Sequence, residues 1–334
     1  MIVDLLATDE QTAIRDSVAG LSARLFAVAR LHDTAAFGAG AEIAAWQELA
    51  DLGLFGLGLS EAEGGVGYGI PEEVTVAREL GRFLVSPSVL ATMLAVHAAP
   101  APLRAALCAG EKRAAFANPL APVDFDGGSA HVQLLDARGA SVAVLWNDHR
   151  FALYGISDHG IAVEAIDETI SLSRAHLDLA SPAGVALGAT LPRHAGLLLA
   201  AYLAGIAEAT LAMAVDYAKI RVQFGRPIGE FQAIKHYCAE MSRRGEAALS
   251  QTFYAAIEST VRKDEDLFEM ACARLLAGDA AVENGRFNVQ IHGGMGFTYE
   301  ADAHLFLKRA LLVSAINSGV RQEQIRIMAV NEPL

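Results

Sequence analysis

The sequence predicts a mostly α-helical chain with one small β domain set between two helical parts. Three observations predict it. Apolar residues recur at helical spacing through the first third of the chain. From about Asn118 to Leu191 the pattern changes to short alternating runs, such as HVQLL, VAVLW and GIAVEAI, divided by the turn formers DGG, ARGA, NDH and SDHG. From about His194 helical periodicity returns and holds to the end. The expected division is an N-terminal helical domain over 1–113, a middle β domain over 114–192 and a C-terminal helical bundle over 193–334.

Each element has a local reason. Thr8 and Gln11 have capping-box spacing, and Ile14, Val18, Leu21 and Phe26 then recur as one apolar stripe. A second helix covers AEIAAWQELADL and stops at Gly53. Pro71 stands where a helix begins, followed by EEVTVARELGRFLV at helical period. A further helical stretch covers about 87–110. In the last third, helices are expected over about His194–Ile220, from near Glu230, over about Glu265–Gln290, over about Asp302–Ala315, and after Gly319. The helix from Glu230 places Phe231, Ile234, Cys238 and Met241 on one face.

Composition bounds the function. Of 334 residues, 53% are hydrophobic and 19% charged, enough apolar material for a large core and for buried subunit contacts. The net charge, 26 − 39 = −13, argues against nucleic-acid and anionic-membrane partners, which need a cationic footprint. Cys108, Cys238 and Cys272 are widely spaced and form no Cys-x-x-Cys pair, so neither disulfides nor a zinc cluster is expected. The N-terminus MIVDLLATDE lacks the basic and apolar regions of a signal peptide, and a cytoplasmic location is expected. The most apolar run, AGLLLAAYLAGIA over 195–207, ends at Glu208 and reads as a buried helix rather than a membrane span.

Three glycine-bearing stretches carry candidate chemistry. GGVGYG over 64–69 resembles a dinucleotide fingerprint but lacks the preceding strand such a site needs, and reads as an interhelical loop. RVQFGRPIGEFQ over 221–232 ends an apolar helix on Arg221 and turns at Gly225 and Pro227. A guanidinium at such a corner suits a phosphate, but spacing alone fits a plain helix C-cap better. In VQIHGGMGF, Gly293 and Gly294 either cap a helix or clear backbone space for a ligand. His292 beside them has no second ligand at metal spacing, so no metal is expected.

Together, RVQFGRPIGEFQ and QIHGGMGFTYEADAHLFLKRA, in this order and on this helix–β–helix plan, resemble the acyl-CoA dehydrogenase family. The resemblance implies a helical domain, a β domain and a C-terminal four-helix bundle. It implies FAD, an acyl-CoA substrate and electron-transfer flavoprotein as acceptor. It also implies an FAD shared between two subunits. On that basis Arg221, Gln223, Phe224, Gln232, Gln290, Gly293 and Gly294 serve the FAD of a neighbouring subunit.

Three departures from the family pattern stand out. The usual position of the catalytic Glu is Asn317, and the alternative base position is Ala195. Neither side chain accepts a proton as a carboxylate does. His194 is adjacent to Ala195, but one helical step turns a side chain by about 100°. In the flavin loop, which reads ANPLAPVD, Asn118 stands for a Glu, and Pro122 and Val123 replace Gly and Ser. The Trp-Ile-Thr strand is not recognisable, and Trp146 in VLWND reads as a core residue.

No catalytic residue is therefore assigned. The pattern resembles the short, non-catalytic subunits of bacterial α2β2 enzymes that oxidise CoA thioesters of sterol or bile-acid side chains. Two other readings stay open: an active homo-oligomer with an atypical base, and a non-enzymatic scaffold or regulatory subunit without FAD.

Overall fold

The computed structural model describes residues 5–32, 41–261 and 266–329, and for 41–44 the backbone alone. Helix α1 (Asp9–Leu25) opens with the expected capping box. The Gln11 N–H donates to Thr8 Oγ1 at 3.1 Å, and the Thr8 N–H donates back to Gln11 Oε1 at 3.1 Å. Helix α2 (Ala41–Asp51) and a short 3-10 turn follow. Helix α3 (Ile70–Arg82) carries Pro71 in its first turn, where a missing N–H costs nothing. The stretch 87–110 is two helices rather than one: α4 (Pro87–Ala98) and α5 (Ala101–Cys108). Pro100 divides them, because the residue before a proline is driven out of the helical region, and Ala99 is extended at φ −75°, ψ 139°.

The loop GGVGYG has no strand before it among the described residues. A Cβ on Gly65 would meet Leu59 O at 2.4 Å and Gly56 O at 2.5 Å. Its glycines thus serve a tight interhelical turn.

The β domain is one seven-stranded sheet in the order β5-β6-β2-β1-β3-β4-β7. Its strands are β1 (Ala114–Pro119), β2 (Ser129–Leu135), β3 (Val142–Trp146), β4 (Arg150–Gly155), β5 (Ile161–Val163), β6 (Leu172–Asp178) and β7 (Gly184–Leu187). Neighbours run antiparallel except β1 and β3. Alternation along the central strands divides their side chains between two cores. Phe116, Val144 and Trp146 join the main helical core, whereas Ala115, Ala117 and Leu145 join a separate one that includes Phe125.

The last third is α6 (Thr190–Ile220), a two-residue hairpin β8–β9 (Val222–Gln223, Arg226–Pro227), α7 (Gln232–Val261), α8 (Phe268–His292), α9 (Ala303–Ser314) and α10 (Val320–Met328). The expected start of one helix near Glu265 lies outside the described residues, and α8 is seen from Phe268. Helix α6 is long and apolar enough to cross a membrane, but 67% of its most apolar stretch is buried inside the protein. Its hydrophobicity is that of a central core helix.

Candidate functional site

Asn317, Asn118 and Trp146, which the sequence places far apart, meet in space. Asn317 follows α9 at φ 63°, a left-handed conformation that Asn tolerates better than other non-glycine residues. Its N–H donates to Asn118 Oδ1 at 2.8 Å, from the end of β1. In the orientation that satisfies both partners, its side-chain amide donates to Trp146 O at 2.7 Å and accepts from Trp146 Nε1 at 2.8 Å. Asn118, Trp146 and Asn317 thus complete one another's hydrogen bonds, leaving the Asn317 amide bound to protein.

Charged side chains close the space beside this triplet. Arg274 on α8 is buried, which pushes its guanidinium down from the usual arginine range. It donates to Ile316 O at 3.0 Å and lies 3.5 Å from Glu323 Oε1. Ser318 Oγ also donates to Glu323 Oε1. Arg326 holds Glu323 Oε2 at 2.8 Å and Asp148 Oδ1 at 2.5 Å, pinning α10 to the β3–β4 turn. The cavity left between α6, α8 and Asn317 has a volume of about 10 Å³, room for roughly one water. A wider groove of about 520 Å³ opens outside it along Pro119–Val123. There Pro122 has no N–H to offer and Val123 no hydroxyl.

Glutamate at position 317 would lose the Trp146 amide pairing and place a charge against a carbonyl, in a conformation that suits Asn. Asn317→Glu is expected to lower stability by about 2 kcal/mol and to create no dehydrogenase turnover in the chain alone. Urea titration and a dye-reduction assay check the two parts.

His194 does not face this cavity. Pro192, Gly196 and Leu199 of α6 line it, and the 3.6-residue period turns His194 to the opposite side. Ala195 is fully buried. His194 is 3% exposed, with Nε2 2.5 Å from Glu73 Oε2. Burial alone would raise the Glu73 carboxyl, but the imidazoles of His194 and His97 overcome it and lower it to about 2. Sequence spacing did not reveal this cluster, because its members come from three helices.

The other candidate residues lie together on one exposed end of the bundle. Arg221 caps α6, its N–H donating to Tyr217 O at 2.9 Å. The hairpin turns through Phe224 at φ 53° and Gly225 at φ 78°, the paired positive φ of a tight two-residue turn. Arg226 stacks over the Phe231 ring at 4.2 Å, and Gln232 begins α7. Gly293 ends α8 at φ 62°, ψ −138°, a region open to glycine alone. The His292 ring stacks on Tyr217 at 4.1 Å, which joins the glycine turn to the arginine corner. Its Nδ1 lies 2.8 Å from Asn288 O, so it acts as a packing and capping residue.

Arg221, Gln223, Phe224, Gln232, Gln290 and Gly294 are exposed, Phe224 at 92%. A Cβ on Gly294 would meet nothing within 4 Å, and its φ is not positive. This chain's own fold therefore does not require glycine there. Ile220, Phe297 and Tyr299 are 76%, 75% and 80% exposed around the same end, an apolar surface of the kind that marks an interface. The donors and glycine turn fit the phosphate-bearing half of a dinucleotide, whereas in the groove Pro122 offers no N–H and Val123 no hydroxyl.

Known proteins give the same fold and family. The acyl-CoA dehydrogenase N-terminal domain model matches residues 8–121, and the C-terminal domain model matches 189–331. Acyl-CoA dehydrogenase FadE34 of Mycobacterium tuberculosis is 33% identical, over 97% of this chain and 48% of FadE34, so the chain spans about half the length of that relative. Acyl-CoA dehydrogenase IpdE2 of the same organism is 31% identical over 90% of this chain and 91% of IpdE2. Among solved structures, the ChsE4–ChsE5 complex from Mycobacterium tuberculosis superposes with a TM-score of 0.81 at 20% identity, covering 99% of this chain and 100% of that one. Its helical domains, central sheet and paired motifs, with these matches along nearly its whole length, make the chain a member of the acyl-CoA dehydrogenase family.

Proposed function

We propose that this chain is a subunit of an FAD-dependent acyl-CoA dehydrogenase, and that it completes the FAD site of a homologous catalytic partner without abstracting a proton itself. The observation that carries this reading is the contrast between its two site halves. The half that would serve its own flavin is closed by the Asn118–Trp146–Asn317 hydrogen bonds and the Arg274–Glu323–Arg326 ion pairs. The half that would serve a neighbour stays open, with Arg221 and Gly294 facing outward.

In this reading Arg221, Gln223 and Gln232 bind the phosphate-bearing half of FAD. Phe224 packs on the partner, and Gln290, Gly293 and Gly294 let the cofactor approach backbone. Bound FAD would accept the hydride from the β-carbon of an acyl-CoA thioester. The proton would leave to a carboxylate of the partner, since Glu323, which lines the same cavity as Asn317, is held by two arginines and a serine. The assembly is an α2β2 heterotetramer, and the acyl group is a steroid side chain, as the FTYEADAHLFLKR form of the motif suggests. Electron-transfer flavoprotein takes the electrons, and the enzyme works in the cytoplasm. The match to a chain of the ChsE4–ChsE5 complex supports a two-chain assembly.

Co-expression with a longer relative that carries a glutamate base tests the reading. A yellow complex with one FAD per pair of unlike chains is expected. Arg221→Ala removes a charge-assisted contact and should weaken FAD retention by about 10- to 100-fold, with the chain's own melting temperature unchanged. Gly294→Val should do the same, because its side chain meets nothing within its own chain. A full complement of FAD on the isolated chain, with turnover of acyl-CoA, would sink the proposal.

A further inference from the structure

Three helices bring a glutamate and two histidines together away from the candidate cofactor face. Glu73 comes from the first turn of α3, His97 from the last turn of α4 and His194 from the first turns of α6. Glu73 Oε1 lies 3.3 Å from His97 Nε2, and Glu73 Oε2 lies 2.5 Å from His194 Nε2. All three ligand atoms fall within 4.8 Å of one another, and among the described residues no other three such side chains converge in this way.

The contact between Glu73 and His194 is close but misaligned. Both atoms are shielded from solvent, and neither completes a hydrogen bond of acceptable geometry. A buried polar pair that is near yet unbonded is costly, and most such atoms find a partner. The imidazole stabilises the carboxylate across this short gap, yet the two atoms lack an aligned hydrogen bond, and a cation bonded to both lone pairs supplies the missing partner. The loop over the carboxylate is fitted to it: a Cβ on Gly58 would lie 2.6 Å from Glu73 Cδ.

We propose that Glu73, His97 and His194 form a buried site for a divalent first-row transition cation, with zinc the best match to its chemistry. Two imidazole nitrogens and one carboxylate oxygen are ligands zinc accepts at about 2.0–2.2 Å, leaving a fourth position for water. Tetrahedral ligands at that length stand about 3.4 Å apart. The Glu73–His97 spacing of 3.3 Å already meets this, and His194 has to withdraw by roughly 0.9 Å. The ion enters from the His97 side. That ring is 15% exposed, so the site opens to solvent on that side. Because α6 turns His194 away from Asn317, the ion braces the N-terminal helices against the bundle and takes no part in redox chemistry.

Cobalt(II) is the probe, since its visible absorption reports a site of low coordination number. The full-length chain, with any subunit that co-purifies, is titrated with Co²⁺ and then with Zn²⁺ as competitor. A single equivalent giving visible bands, displaced by Zn²⁺ and raising the melting temperature, is expected. His97→Ala removes the most exposed ligand and should retain the fold by circular dichroism. It should weaken binding by more than about 100-fold, beyond the effect of losing a mere supporting residue. His194→Gln should abolish the bands. The exposed cross-strand pair His131 and His176 is the control: its double Ala variant should bind as the parent does. No bands at millimolar Co²⁺, or bands unchanged in His97→Ala, overturns the proposal.

Discussion

Arg309→Ala should destabilise the protein by about 3–5 kcal/mol, the range for removing one partner of a buried ion pair. Arg309 on α9 is 1% exposed, and its partner Asp167, in the β5–β6 connection, is also buried. Nε donates to Asp167 Oδ2 at 2.5 Å and Nη2 to Thr169 Oγ1 at 2.7 Å. Nη1 donates to Leu84 O at 2.8 Å, Val85 O at 3.1 Å and the Tyr202 hydroxyl at 2.8 Å. One side chain thus ties the β domain, the α3–α4 turn, α6 and α9 together. The turn it holds includes Leu84 at φ 50°, a conformation that is rare for leucine.

Loss of the guanidinium leaves the Asp167 carboxylate in the interior without its cation, while Leu84 O keeps Arg30 and Val85 O keeps the Tyr202 hydroxyl as donors. Arg309→Lys keeps the charge but not the planar fork, so its loss should be intermediate. Removing both charges, as Arg309→Met with Asp167→Leu, should recover part of the stability, because no uncompensated charge remains. Urea unfolding of the single and double variants measures the coupling. A loss below about 1 kcal/mol for Arg309→Ala would place this pair with ordinary surface bridges.

Gly205→Ala should destabilise by about 3 kcal/mol, although Gly→Ala normally strengthens a helix by up to about 1 kcal/mol. The sign follows from the crossing of α3 and α6. A Cβ on Gly205 would lie 2.0 Å from Arg78 O and 3.2 Å from Arg82 N. Reciprocally, a Cβ on Gly81 would lie 2.0 Å from Tyr202 O. Both clashes are with backbone, so no side-chain rotation relieves them, and the helices have to separate. Gly20→Ala in α1 is the internal control, since nothing lies within 4 Å of its Cβ. It should stabilise by about 0.5–1 kcal/mol. Thermal melts of both variants against the parent check the opposite signs.

Much of the fold was legible because its signals are local. The Thr8 capping box, Pro71 in a first turn and the returns of helical period all depend on residues within one or two turns. The stretch 87–110, drawn as one helix, fails for a local reason also present in the sequence: Pro100. The arginine corner and glycine turn were legible as motifs, and so was the family. Their spacing alone favoured a helix cap over a ligand site. The structure adds that a Cβ on Gly294 would meet nothing within 4 Å in its own chain.

Asn118, Trp146 and Asn317 each read as a separate departure, and Trp146 as a core residue. Only the folded chain shows that Asn118 and Asn317, 199 positions apart, bond to each other, and that the Trp146 indole completes the set while packing against the core. The Glu73–His97–His194 cluster and the Arg309 staple were invisible for the same reason.

The sequence by itself determined the helices, the β domain and the family, since each rests on residue type and short spacing. The tertiary structure alone decided which buried polar groups meet. That choice depends on how helices cross, and a crossing is set by the glycines and side chains of both partners. An unpaired polar atom in the interior is costly, so the fold that brings Asn317 to Trp146 and Glu73 to two histidines also sets what each of them can do.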